Sequence, residues 1–151
     1  MSKEKMTAKD FLMQYRKADS IIRLLKSDIE RVEGQASGAS QQIDGQPHGS
    51  GKSDKVGKAA TAAADLKAKL EEKLWEQEAI KRQIFYVLSE ITKSEFVEVL
   101  RMRYIDDPPA DSWLSIAYSL DRHPRQVQRI HGYALQEVQK IIDGRMRGDT
   151  E

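Results

Sequence analysis

The chain has 151 residues, enough for one ordinary domain or for a small domain with an extended arm. It is 39% hydrophobic and 32% charged, a balance more typical of long exposed helices than of a compact enzyme. The formal net charge of +1 creates no global field that attracts nucleic acid, so DNA binding would require a local basic patch. The chain has no cysteine, which excludes disulfides and thiolate chemistry and is compatible with a cytoplasmic location. No apolar run is long enough to span a bilayer, so we expect no membrane partner.

The first segment has an apolar residue at alternating steps of four and three, which predicts a helix over residues 7–33. The members of this stripe are Phe11, Tyr15, Ala18, Ile22, Leu25, Ile29 and Val32. Such heptad spacing gives a continuous apolar face. This face must pack against another helix, either in the same chain or in a second copy.

Residues 34–57 contain six glycines and show no helical or strand period, which predicts a flexible loop. A second helix is predicted over residues 58–91, with Ala59, Ala63, Leu66, Leu70, Leu74, Ile84, Leu88 and Ile91 on or near one stripe. We therefore expect residues 1–92 to form a long helical hairpin with the glycine-rich loop at its tip. A coiled-coil arm between two chains, and hence a homo-oligomer, is the competing arrangement.

The remaining residues predict three shorter helices and complete an all-α chain. Thr92 and Glu95 have the spacing of a capping box, and the helix that follows should stop before Asp106-Asp107-Pro108-Pro109. Asp111 or Ser112 is expected to cap the next helix. We predict a helix-turn-helix domain over residues 93–143 and a flexible tail over residues 144–151.

The second helix of this domain has two distinct faces. Pro124 suits the first helical position, which makes His123 the cap residue. An inward stripe is then formed by Val127, Ile130, Ala134, Val138 and Ile141. At about 100° per residue, the outward face is formed by Arg125, Arg129, Gly132 and Gln136.

The outward face has the chemistry of DNA recognition. Arginine can contact guanine through two hydrogen bonds in the major groove, and glutamine can contact adenine in the same way. Residues 122–136 include three arginines and no acid, although the whole chain is nearly balanced. Gly132 should cost about 1 kcal/mol relative to alanine, which a close approach to a DNA backbone would explain. Against this, surface helices carry arginines routinely, and Gly132 could simply relieve crowding.

The run "VLRMRYIDDPPADSWLSIAYSLDRHPRQVQRIHGYALQEVQKI" resembles the fourth region of bacterial sigma factors, a helix-turn-helix module that contacts promoter DNA. The whole chain resembles the ArpU/RinA-type late transcriptional regulators of phages, with "GQPHGSGKSDKVG" (residues 45–57) as the most distinctive segment. This resemblance implies a phage regulator that binds double-stranded DNA in the host cytoplasm, with host RNA polymerase as a further partner. It places DNA contacts at Arg125, Gln126, Gln128 and Arg129. Arg122 and His123, at the turn, are our candidates for phosphate contacts.

Other motifs carry little chemistry. His48 is a lone histidine in the glycine-rich segment, and "GSGKS" (residues 49–53) lacks the spacing and the preceding strand of a phosphate-binding loop. His131, Trp75 and Trp113 are interpreted as structural residues. No nucleophile–base pair or carboxylate pair indicates an enzyme, and no cofactor is expected. The rival functions are a small DNA-packaging protein of the terminase small-subunit kind and a protein that binds RNA polymerase without reading DNA.

Overall fold

The computed structural model describes residues 5–41, 51–110 and 112–148. Every secondary-structure element in these residues is helical, which confirms the predicted all-α class. In chain order the elements are α1 (Ala8–Gln41), α2 (Gly51–Ser89), α3 (Ser94–Leu100), a π-helical turn (Arg101–Ile105), α4 (Trp113–Leu120) and α5 (Pro124–Gly148). None of the described helices is both long and apolar enough to cross a membrane.

The two long helices extend into the segment that was predicted as a flexible loop. Because α1 continues to Gln41 and α2 begins at Gly51, the prediction was wrong for residues 34–41 and 51–57. Nucleation is the expensive step of helix formation, so an established helix can continue through a glycine that costs about 1 kcal/mol. Residues 42–50, which include His48 and the start of the "GSGKS" motif, lie outside the described residues.

The chain divides into two compact units, and their boundaries do not coincide with the predicted boundary at residue 92. Unit 1 comprises Met1–Ala18 and Ile80–Glu151, whereas unit 2 comprises Asp19–Ala79. Helices α1 and α2 therefore contribute residues to both units. Unit 1 includes the start of α1 and the end of α2 because their apolar side chains belong to the same core as those of α5.

Two apolar clusters form the core of unit 1. The larger one joins residues of α1, α2, α3 and α5, among which Leu12, Ile84, Leu100 and Val138 are completely buried. The smaller one consists of Val99, Ile116, Ala117 and Val127, and it connects α3, α4 and α5. Ile130 packs against both clusters, so α5 is the element that joins the two parts of this core.

Polar contacts fix the beginning of α1 on α5 and on the π-helical turn. The side chain of Gln139 accepts the Ala8 N–H at 2.7 Å and donates to the Met6 carbonyl at 3.3 Å. Arg16 donates from Nη2 to the Arg103 carbonyl at 2.5 Å. Backbone groups at helix ends have no hydrogen-bond partner within their own helix. These side chains supply such partners at the start of α1 and near the end of the π-helical turn.

In unit 2, Ile22 and Leu25 of α1 are buried, as the predicted stripe requires. Lys67 Nζ of α2 lies 2.8 Å from Glu33 Oε1 of α1, so the two helices contact each other within one chain. The hydrogen bond to Glu33 raises the pKa of Lys67 above its ordinary value. Trp75, interpreted from the sequence as a packing residue, is 65% exposed, and that interpretation was wrong.

The start of α3 differs from the predicted capping box. The helix begins at Ser94 with Lys93 in the cap position, and no side chain accepts a hydrogen bond there. Thr92 is therefore not the cap, and Glu95 pairs instead with Arg122. The π-helical turn then ends with the Asp106 N–H bonded to the Arg101 carbonyl at 2.8 Å. The predicted stop before Asp106 is confirmed.

Helix α5 is longer than predicted, and its buried stripe ends differently. It continues to Gly148, so residues 144–148 are helical, and the last residues of the predicted tail lie outside the described chain. Val127, Ala134 and Val138 are buried as predicted, but Ile142 is buried in preference to Ile141. Steps of four follow the 3.6-residue period closely enough to keep Ile142 on the core side.

Candidate nucleic-acid interface

A tight three-residue turn joins α4 to α5. Ser112, one of the two predicted caps, begins α4 by accepting the Ser115 N–H at 3.2 Å. Asp121 ends the helix in the left-handed conformation, with φ 53°. The Arg122 N–H bonds to the Ala117 carbonyl at 2.9 Å, and the Asp121 N–H bonds to the Tyr118 carbonyl at 3.3 Å. This is the Schellman pattern that usually contains glycine, and aspartate is one of the few other residues that tolerate the conformation.

The first turn of α5 is closed by a reciprocal cap. His123 Nδ1 accepts the Arg125 N–H at 3.2 Å, and Gln126 Oε1 accepts the His123 N–H at 3.4 Å. The predicted cap role of His123 is confirmed, with Gln126 as its partner in the arrangement of a capping box. With Nδ1 accepting in this way, His123 has its Nε2–H available as a donor to an outside partner, and Gln126 has its amide N–H groups.

Arg122 is held toward α3. Its guanidinium pairs with the Glu95 carboxylate, and the two side chains are 41% and 46% exposed. A residue expected to contact phosphate is thus occupied by an acid of the same chain. The pairing links the turn before α5 to the first turn of α3.

The other predicted contact residues, Arg125, Gln128 and Arg129, are all exposed on α5. Within the described residues, neither Arg125 nor Arg129 forms an ion pair. The two arginines are four positions apart in the sequence, so they lie on one face of the helix. Tyr133, which is 56% exposed, lies on the same face one turn further along. The sequence contained this signal, since Tyr133 follows Arg129 by four residues.

The backbone at Gly132 is open on this face. A Cβ atom built on Gly132 meets nothing within 4 Å in the structure. Crowding inside the protein therefore does not explain the glycine. An outside molecule can approach the backbone here more closely than at any position with a side chain.

The opposite face of α5 contains a neutral histidine. His131 Nε2 lies 2.7 Å from the Tyr104 hydroxyl, and its ring lies 4.6 Å from the Trp113 ring. The Arg103 guanidinium lies over the Trp113 ring, 4.6 Å from its centroid. Burial, reinforced by the charges of Arg103 and Lys9, lowers the pKa of His131 to about 4. The imidazole packs the π-helical turn and α4 against α5, as expected from its position on the buried flank.

Two large side chains on α4 were not singled out by the sequence analysis. Leu114 is 68% exposed and Tyr118 is 89% exposed, on a helix that contains no charged residue. The spacing of apolar residues in α4 could have indicated them. Leu114 and Tyr118 lie on the side of the helix away from its inward residues, which are Trp113, Ile116, Ala117 and Leu120. They provide an uncharged, partly apolar surface on α4.

The described part of the chain contains no group of three or more histidine, aspartate or glutamate side chains that could hold a metal ion. The residues at the start of α5 offer hydrogen-bond donors and two cations that have no acid partner among the described residues, which suits the binding of an anionic surface.

No protein-family model, curated protein or solved structure matches this chain. The resemblance to sigma-factor region 4 and to phage regulators is therefore an expectation that depends on the motifs alone.

Proposed function

We propose that this chain is a phage or prophage regulator of transcription that binds double-stranded DNA through the first half of α5. The observation that carries the proposal is the pair of exposed arginines, Arg125 and Arg129, one turn apart and without an acid partner in the described residues. In a chain with a net charge of only +1, two unpaired cations on one helix face form a distinct local patch.

The α4–turn–α5 segment suits a helix that enters the major groove. The groove admits one α-helix, and recognition requires that the helix be held rigidly by the rest of its domain. The Schellman turn at Asp121 and the cap formed by His123 and Gln126 supply this rigidity. Arg125 and Arg129 are the candidates for contact with guanine, and Gln128 at the flank is the candidate for contact with adenine.

Phosphate contacts complete the proposed interface. The N–H donors of His123 and Gln126 lie at the start of α5, where the helix dipole also favours an anion. The open backbone at Gly132 would let a DNA strand approach the middle of the same face. Phosphate contacts of this kind position the helix, whereas the arginines determine which sequence is bound.

The test begins with the selection of bound sequences from random DNA by the intact protein. Binding to a selected site is then compared for the parent, Arg125→Ala, Arg129→Ala and the double variant. Each single change should cost about 1–3 kcal/mol and relax the preference at one base pair. The matched control is Arg145→Ala, because Arg145 lies on the same helix and pairs with Glu90 at 2.8 Å. A double variant that binds as tightly as the parent would refute DNA reading by α5.

A second function is favoured by the exposed side chains of Leu114 and Tyr118. An uncharged helix with two large exposed side chains suits contact with another protein, and host RNA polymerase is the partner that the resemblance implies. The two functions are separable by variants. If Leu114→Ser with Tyr118→Ser abolishes regulation while the arginine double variant retains it, polymerase binding and not DNA reading is the main activity.

A further inference from the structure

We propose that Glu95 competes with DNA for Arg122 and thereby sets the strength of sequence-independent binding. The inference depends on the proposed DNA-binding function and adds to it an intramolecular competitor. In the free protein Arg122 pairs with Glu95. In the complex, phosphate and carboxylate compete for the guanidinium, so Arg122 contacts DNA in only a fraction of the bound molecules.

The geometry allows Arg122 to exchange partners without a change of fold. Its backbone is fixed, because its N–H bonds to the Ala117 carbonyl at 2.9 Å and the next residue is the cap of α5. Only the side chain has to move, and with 41% of it exposed the guanidinium already borders solvent. Arg122 comes directly before the cap, so a guanidinium that leaves α3 can reach a phosphate bound at the start of α5.

The charges explain why the exchange affects binding and not folding. A surface ion pair contributes little to stability, and salt screens it. A DNA duplex presents a dense row of phosphates, and each phosphate that a cation neutralises strengthens binding at low salt. A contact between Arg122 and phosphate requires the pair with Glu95 to break, and the attraction that is lost offsets part of the gain from the new contact. Glu95 therefore weakens binding to every sequence equally and leaves base preference to Arg125 and Arg129.

The experiment measures binding of the full chain to a short random-sequence duplex across a salt series. Glu95→Gln should bind about two- to five-fold more tightly at low salt, the size expected for release of one surface ion pair. The slope of log K against log salt should become steeper by up to about 0.9, the value for one added phosphate contact. The same substitution combined with Arg122→Gln should give neither effect. The matched control is Glu98→Gln, which removes an exposed acid one turn further along α3.

Several outcomes would overturn the proposal. Equal gains from Glu95→Gln and Glu98→Gln, or a gain that persists in the Arg122→Gln background, would mean that any lost negative charge has the same effect. A loss of affinity in Glu95→Gln would mean that the pair holds the turn in its binding conformation. If the parent does not bind the duplex at low salt, the proposed function fails and this inference fails with it. Normal helicity and an unchanged melting temperature of each variant exclude unfolding as the cause.

Discussion

Replacing Gly132 by alanine should stabilise the protein and weaken its binding to DNA. A Cβ at this position meets nothing within 4 Å, so the substitution carries no steric cost within the protein. Gly132 lies well inside α5, where alanine is preferred over glycine by about 1 kcal/mol. In a chain of this size, a gain of that magnitude raises the melting temperature by about 2–4 °C.

Gly144 is the matched control for this substitution. It lies on the same helix, and a Cβ there also meets nothing within 4 Å. Gly144→Ala should therefore stabilise the protein as well, although less, because helix ends fray. Its position near the end of α5 is far along the helix from Arg125 and Arg129. Binding to a selected DNA site should be unchanged in this variant.

The assays are thermal unfolding followed by circular dichroism and binding to a selected site at constant salt. If the DNA backbone approaches Gly132 closely, the added methyl group should weaken binding by about tenfold, which corresponds to about 1.4 kcal/mol. A more stable Gly132→Ala variant that binds as tightly as the parent would show that DNA does not approach this backbone. A less stable variant would show that the glycine has a role in the fold that the open space around it does not reveal.

Two further predictions concern the fold. Because the pKa of His131 is about 4 in the folded chain and 6.5 is its ordinary value, the unfolded chain binds the extra proton between these pH values. The associated stability is fully present above pH 6.5 and is lost as pH falls toward 4, by an amount on the order of 2 kcal/mol. Chemical denaturation across this range should show a weaker pH dependence for His131→Gln, and identical curves for parent and variant would contradict the proposed neutral histidine. A zero-length carbodiimide cross-link between Glu33 and Lys67, whose charged atoms lie 2.8 Å apart, should form within one chain. Mass spectrometry of mixed light and heavy protein tests this, because cross-links within one chain never join a light to a heavy peptide, and light–heavy cross-links would indicate a dimeric coiled coil.

The local sequence pattern predicted the structural features that depend on residues close together in the chain. The spacing of apolar residues predicted α1, α2 and α5, and capping and proline signals predicted α3 and α4. The position of Pro124 identified His123 as the cap of α5. The same period separated Val127 and Ala134 on the buried side from Arg125 and Arg129 on the exposed side. These features could be predicted because capping and amphipathic spacing involve residues only a few positions apart. The glycine-rich segment misled the prediction, because composition alone does not indicate how far an established helix continues.

The features that the sequence could not determine all join residues distant in the chain. Glu95 appeared to complete a capping box that begins at Thr92, but Arg122, which is 27 residues away, binds its carboxylate. The start of α1 belongs to the same unit as α5 because Gln139 binds Ala8 and Met6, more than 130 residues away. The low pKa of His131 likewise arises from burial among Tyr104, Trp113 and nearby cations. Such contacts depend on which helices meet and on which side chains then find partners, and neither is encoded in local spacing. Sequence alone therefore determined the faces of the helices, whereas the tertiary structure decided which of their charges remain available to another molecule.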